Sequence, residues 1–513
     1  MKIIIIRAGI AGLSSYIFLT KHLVRERPTD YSITIYEAYD VKHGQVRHDA
    51  HADAHAPGRE VLPHSKDEDG DLFTAKVIGN AIGLGKNGLT VLSRMDVDED
   101  GALLTQIQRR GNCVSKWRIM TARGWKIVDA SVRSGPDPDA GGPTVADTVM
   151  IARQAAWEVL RDRVLSIDGD AVIKKKVAAI ETNSESKVVL HFSDGSTDEA
   201  DLLIHWCRRS AQYCSTALVQ RQRRPQTAVL GRLGDEEDTG EGRLNHATQR
   251  GAYWSRRLRA ERSAQEDRGA TTVDIGGSLA AWWSTFSSAS PLPYQKATAS
   301  DVADRDNDNA ASSADIKTVF DKTTALKECL QRHRSWSDPT IQAILSYLEA
   351  NEAIEHMYPT YTTPELRTWK SGSDGTSNSI SNTGIVLIGD AAHALQPSSG
   401  QGACQALEDA EALALFLRHY LHTDTDTTTA SGPRATATGA VDRALSAFVA
   451  LRIPRIARIY KQSQKMGGRK TDMGFVMEYV MYFAIRVGVK TGTGRNITGN
   501  CSRMICLGRL SGL

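Results

Sequence analysis

With 513 residues, 63 Lys and Arg against 60 Asp and Glu, and a formal net charge of +3, the chain can bury one large or two interleaved domains and lacks the basic footprint of a nucleic-acid binder. Seven cysteines, odd in number and without CxxC spacing, exclude a disulfide framework and a cysteine zinc site and suit a reducing, cytoplasmic setting. No stretch supplies the roughly 20 apolar residues of a membrane span.

Met1 to Leu23 is interrupted by Arg7, by glycines and by Ser14-Ser15, so it reads as a strand and a helix rather than a leader. Ile3 to Ile6 is a buried strand, Arg7-Ala8-Gly9-Ile10-Ala11-Gly12 a turn, and the amphipathic helix runs to about Leu23. A second strand, Ser32 to Tyr36, ends at Glu37. This is the βαβ dinucleotide unit: glycines admit a pyrophosphate to the helix N-terminus, and the acid takes ribose hydroxyls. Gly9, Gly12 and Glu37 are in place, but Arg7 stands where the first glycine belongs. Its side chain either crowds the phosphate and weakens binding or swings outward.

Residues 46–75 read as a surface insertion, opened by His48, His51 and His55 among Asp and Ala. Those histidines have ligand-like spacing but no surrounding fold signal, and no metal is expected. Cys113 to Met120 and Gly124 to Val128 read as a hairpin, and Val149 to Leu160 as a helix carrying Arg153. Ala171 to Ile180, Lys187 to Phe192 and Glu199 to Ile204 read as strands.

Residues 220–272 are charged and aperiodic, the pattern of a solvated segment. Trp282 and Trp283 fit either a substrate cavity or a core. Val319 to Leu330 and Pro339 to Leu348 are predicted helices, the second capped by Ser337 with Pro339 at its first position.

Ile385 to Ile388 is a short apolar strand ending at Gly389-Asp390, which places a carboxylate where open α/β sheets bind ligands. Pro397 to Gly402 is a loop in which Gly400, Gln401 and Gly402 let backbone N–H groups approach a phosphate or ring carbonyl. A helix starts at about Gly402 with its positive end at the same place. Residues 422–440 read as a low-complexity linker and Val441 to Tyr460 as a helix despite Pro454. Phe475 to Val489 reads as a packed helix, with contact to a membrane surface or a partner as the alternative.

The run GDAAHALQPSSGQGACQALEDA, Gly389 to Ala410, resembles the second FAD-binding motif of the flavin-dependent aromatic hydroxylases, of the salicylate hydroxylase-like, fungal secondary-metabolism type. The resemblance covers most of residues 1–204 and 276–460. It implies an α/β fold in which a Rossmann-like FAD-binding domain (1–204 and 381–421) is interleaved with a β-sheet substrate domain (205–380), followed by a helical C-terminus (441–513).

It also implies cofactor contacts from Gly9, Gly12, Glu37, Asp390, Pro397, Gly400, Gln401 and Gly402, and either a cofactor contact or plain exposure for Arg153. Val77 to Leu89 would run past the flavin, with Lys86 where proline is usual, and Leu451 to Arg455 would lie in the helix that closes over it. In this class NAD(P)H reduces FAD, dioxygen reacts with the reduced cofactor, and one oxygen atom goes to an aromatic or polyketide substrate. The cofactor is the reagent, so no catalytic side chain is assigned.

After Asp201-Leu202-Leu203-Ile204 the family continues Gly-Ala-Asp-Gly, whereas this chain has His205-Trp206-Cys207-Arg208-Arg209. Permitted codons for His205 to Val219, read one nucleotide downstream, encode Ile-Gly-Ala-Asp-Gly-Val-Arg-Ser-Thr-Val-Arg-Arg. Our hypothesis is a frameshift near His205 affecting 205–272, from a gene-prediction error, a sequencing error or a decayed gene; a transcript encoding the written frame without interruption removes the error reading. Codons for Val46-Arg47 and Leu72 to Ala75 can likewise encode the two ends of an intron. Two alternatives to the hydroxylase therefore stay open: an inactive or weakly flavin-binding gene product, and a flavin oxidase or reductase on the same fold.

Overall fold

A computed structural model describes residues 1–41, 81–96, 101–114, 116–121, 123–131, 148–183, 187–205, 294–296, 318–320, 322–351, 366–371, 384–395, 399–423, 433–467 and 475–490. Its centre is a five-stranded parallel sheet in the order Ile385–Leu387, Leu202–His205, Lys2–Ile6, Ser32–Glu37 and Val172–Lys174. The unbroken isoleucine run of the middle strand follows from its burial on both faces. Ile3 and Ile5 pack with the helix Ile10–Leu19 and its neighbours, while Ile4 and Ile6 meet Val188, Leu190 and Phe192 of a three-stranded antiparallel sheet.

The helix Gly402–Thr423 is the hub of the helical layer, touching Ile10–Leu19, Lys86–Met95 and Pro433–Gly467. A further antiparallel sheet joins Ala81–Gly85, Thr148–Ala152 and Asn112–Cys113. After Leu19 the first helix widens into a π-turn over Thr20–Val24, closed by the Arg25 N–H donating to the Thr20 carbonyl at 2.9 Å.

Several local expectations need correction. Cys113 pairs with Val149, so the hairpin is Lys116–Met120 with Lys126–Ser131. Val149 to Ala152 is extended, and the helix starts at Arg153 and runs to Ile167, because the β-branched run pairs with Ala81–Gly85 before alanines take over. Thr318–Phe320 is a strand, with the helix following at Lys322–His333. The cap of Pro339–Asn351 is Asp338, whose Oδ1 accepts the Ile341 N–H at 3.1 Å, not Ser337.

The described residues of the region read as a linker are helical: Gly402–Thr423 takes its first residues, and Pro433, preset for a first helical turn, opens the 35-residue helix to Gly467. The helix Phe475–Lys490 leaves Val476, Met477, Val480 and Phe483 exposed, so it is not packed all round.

Among the described residues no helix is long and apolar enough to cross a membrane, and no group of three His, Cys, Asp or Glu could hold a metal. The 46–75 insertion, the segment 206–272, Trp282, Trp283 and Pro397 lie outside the described residues.

Candidate cofactor-binding site

The strand register brings distant parts of the sequence to one edge. Ile6 lies beside both Tyr36 and His205, and His205 beside Leu387. The carboxyl end of the sheet therefore presents Arg7-Ala8-Gly9, Glu37, His205 and Gly389-Asp390 side by side, where parallel sheets bind ligands. Gly9 caps the first helix, its carbonyl accepting the Leu13 N–H at 2.9 Å, and Gly12 is buried within that helix.

Gly389 adopts φ +55°, and a Cβ there would lie 3.3 Å from the Ala11 Cβ and 3.6 Å from the Ala406 Cβ. The helices Ile10–Leu19 and Gly402–Thr423 thus meet across this glycine, with Asp390 exposed at the turn. Gly400, at φ +60°, and Gly402 have nothing within 4 Å of where a Cβ would stand, so their backbone faces open space. Gln401 between them is buried.

Glu37 closes onto the glycine turn. Its Oε2 accepts the Ala8 N–H and its Oε1 the Ala38 N–H, each at 2.8 Å. From the other side the Trp157 indole N–H donates to the Ala8 carbonyl at 2.6 Å. Arg153, one helical turn before Trp157, shares that helix face and is exposed.

Arg7 keeps the backbone of the glycine it replaces. Its φ is +75°, and its N–H donates to the Tyr36 carbonyl at 2.7 Å, so the tight turn survives. A side chain in this left-handed region costs about 1–2 kcal/mol. Arg7 is half-buried, and its charge acts on His205. Burial first, then that positive charge, pushes the His205 imidazole down to about 4, so it is neutral at neutral pH.

Beneath the turn lies a buried polar network that the residue-by-residue reading did not identify as functional. Asp409 Oδ2 accepts the Gly389 N–H at 2.9 Å and pairs with His393 Nε2 at 2.6 Å. Arg452 donates to Asp409 Oδ1 at 2.7 Å, to Glu408 Oε2 at 2.6 Å and to Gln405 Oε1 at 2.7 Å. Arg455 donates to Glu408 Oε1 at 2.6 Å. Asn87 Nδ2 bridges Glu408 Oε1 at 2.8 Å and Gln401 Oε1 at 3.0 Å, which ties the glycine loop to the start of the helix Lys86–Met95. Two carboxylates facing two guanidinium groups make the cluster internally compensated, as burial of charge requires.

The visible signal was an acid pair, Glu408-Asp409, in a largely apolar helix, with two arginines three residues apart on the next. Burial alone would raise the Asp409 carboxyl, but the charges of His393 and Arg452 hold it at about 2. Burial likewise opposes ionisation of Glu408, and its bond to Arg455 together with the Arg452 charge keeps its pKa below the usual value.

Both carboxyls have folded pKa values below their unfolded ones, so their stabilisation is present above the unfolded carboxyl range at about pH 4 and is lost as pH falls, for Asp409 toward about pH 2, because the unfolded chain takes up protons first. His205, held at about 4, adds a loss between about pH 6.5 and 4, where only the unfolded imidazole is protonated. Thermal melts from pH 7 to 3 are therefore expected to show a falling melting temperature in two stages; a flat profile contradicts the charge assignment.

Residues 328–431 match the FAD binding domain family. The chain is 30% identical over 133 residues to 3-hydroxybenzoate 6-hydroxylase of Klebsiella oxytoca, covering 25% of this chain and 28% of that protein. It is 40% identical over 78 residues to the FAD-dependent monooxygenase nodY2 of Hypoxylon pulicicidum, covering 15% of this chain and 14% of that protein. The matches thus span less than a third of these relatives' lengths.

In three dimensions the chain is similar to Klebsiella pneumoniae HpxO complexed with FAD and uric acid, with a TM-score of 0.54 and 18% identity over 98% of this chain and 96% of that one. CtdE in complex with FAD and substrate 4 gives 0.53 and 14% over 98% and 100%. The fold is that of these FAD-bound proteins, and a segment of the chain is similar to FAD-dependent monooxygenases.

Proposed function

We propose that this relative of the FAD-dependent monooxygenases binds FAD along the carboxyl edge of its parallel sheet and, with NAD(P)H and dioxygen, hydroxylates an aromatic or polyketide-type small molecule. The observation that carries the reading is the meeting of two helix N-terminal regions across Gly389, beside exposed Asp390 and the open backbone of Gly400 and Gly402. A Cβ-free cradle with two positive helix ends suits a diphosphate and a polar ring edge.

Asp390 and Glu37 supply acceptors for ribityl and ribose hydroxyls, Gly9 and Gly12 admit the diphosphate, and the Pro397 to Gly402 loop meets the ring system. Bound FAD would supply the hydride and oxygen chemistry; the protein's part is to hold it and exclude water. The hydroxybenzoate in one relative's name and the uric acid bound to HpxO support a small planar substrate. We place the FAD-binding parts at 1–204 and 381–421 and the substrate domain between them, in a cytoplasmic protein.

Asp390 is exposed, so Asp390→Ala is expected to weaken FAD binding about 10-fold or more, the scale of a lost charge-assisted hydrogen bond, with the melting temperature unchanged. Flavin fluorescence titration and a thermal melt check both halves; undiminished affinity removes Asp390 from the site. NADPH oxidation with phenolic acids then separates the chemistries. Product carrying new hydroxyl oxygen supports the hydroxylase, whereas NADPH consumption without oxygenated product supports the oxidase or reductase.

A second reading, a weakly flavin-binding gene product, is favoured by one observation. Arg7, half-buried at positive φ, brings a Cβ and a cation to the phosphate turn.

A further inference from the structure

Ten large apolar side chains are exposed among the described residues, and six of them belong to the single helix Phe475–Lys490, so exposure is concentrated rather than scattered. Val476, Val480 and Phe483 follow helical spacing along one stripe, and they are 74%, 54% and 69% exposed. Met477, 58% exposed, widens the stripe, and exposed Arg486 borders it. The helix rests on the strand Lys126–Ser131, and the residue opening that strand's turn, Trp125, is itself 60% exposed. An exposed indole and an apolar helix stripe are both features that favour a lipid interface.

We propose that this face docks on an anionic lipid surface. The helix is too short and too interrupted to span, so it would lie in the interface plane. Charge selects the occupant: the helix itself carries Arg486 and Lys490 against Glu478, and the sequence from Lys465 to Leu513 has eight Lys or Arg against two acids. An anionic headgroup layer attracts such a basic excess. A second copy of the chain would instead bring two basic segments together. The surface is separate from the sheet edge proposed for FAD, so either proposal can fail alone.

The test is co-sedimentation of the full chain with phosphatidylserine–phosphatidylcholine vesicles and with phosphatidylcholine vesicles alone. Binding is expected to the first, weakened by raised salt and on the second, and reduced at least tenfold by Phe483→Glu. Because Phe483 is mostly exposed, that variant should keep the wild-type circular dichroism and FAD titration. Absence of sedimentation with phosphatidylserine vesicles overturns the proposal, as does equal sedimentation of Phe483→Glu. A dimer on size exclusion that Phe483→Glu converts to monomer, with no vesicle binding, assigns the face to a second copy instead.

Discussion

Arg7→Gly should tighten FAD binding at least tenfold and stabilise the protein by about 1 kcal/mol, the cost of holding a Cβ-bearing residue at positive φ. The backbone at position 7 is already at φ +75°, and its N–H is engaged with the Tyr36 carbonyl, so glycine enters a turn made for it. Removing the side chain also clears the approach to the N-terminus of the helix Ile10–Leu19. Loss of the guanidinium should let the His205 pKa rise, because that charge is the second cause holding it down. Parallel thermal melts and flavin titrations of wild type and variant measure the effect. Weaker FAD binding in the variant would show that the Arg7 cation assists the diphosphate.

The largest loss is expected for Arg452→Met. Arg452 is 2% exposed and is shared by Glu408, Asp409 and Gln405. Breaking a buried ion pair on one side leaves charge uncompensated and costs about 3–5 kcal/mol. The consequence reaches the site through Asp409, which holds the Gly389 N–H at 2.9 Å and so the turn that presents Asp390. Arg455→Met should cost less, because Glu408 keeps Arg452 and Asn87 as donors. Chemical denaturation ranks the two, and a ranking in which Arg455→Met is the more destabilising contradicts the network described.

Much of the candidate site's layout was legible because strand ends and glycine turns leave a pattern in the sequence. The isoleucine strand, Glu37 at the end of the second strand and Gly389-Asp390 after Ile385 to Ile388 each read as the carboxyl end of a buried strand, and the parallel register brings those ends together. The helix from Gly402 was legible from its apolar spacing.

What stayed hidden depends on tertiary partners. Glu408 and Asp409 gain a role only when Arg452, more than forty residues later, is seen opposite them. Val149 to Ala152 has the apolar content of a helix but pairs with Ala81–Gly85, and only that pairing decides its state. Phe475 to Val489 reads as a packed helix, with a membrane or partner contact as the alternative, since composition does not say whether anything covers it. Arg7 was visible as a departure, yet its retention of a glycine's dihedral is a property of the folded turn alone.

The central claim is that the sheet's carboxyl edge is an FAD site. It is tested most directly by titrating the purified full chain with FAD and following flavin fluorescence and absorbance. The prediction is saturable binding of one FAD per chain with a bound-flavin spectrum, tighter in Arg7→Gly and weaker in Asp390→Ala. An unperturbed flavin spectrum at every protein concentration, in wild type and Arg7→Gly alike, would contradict it.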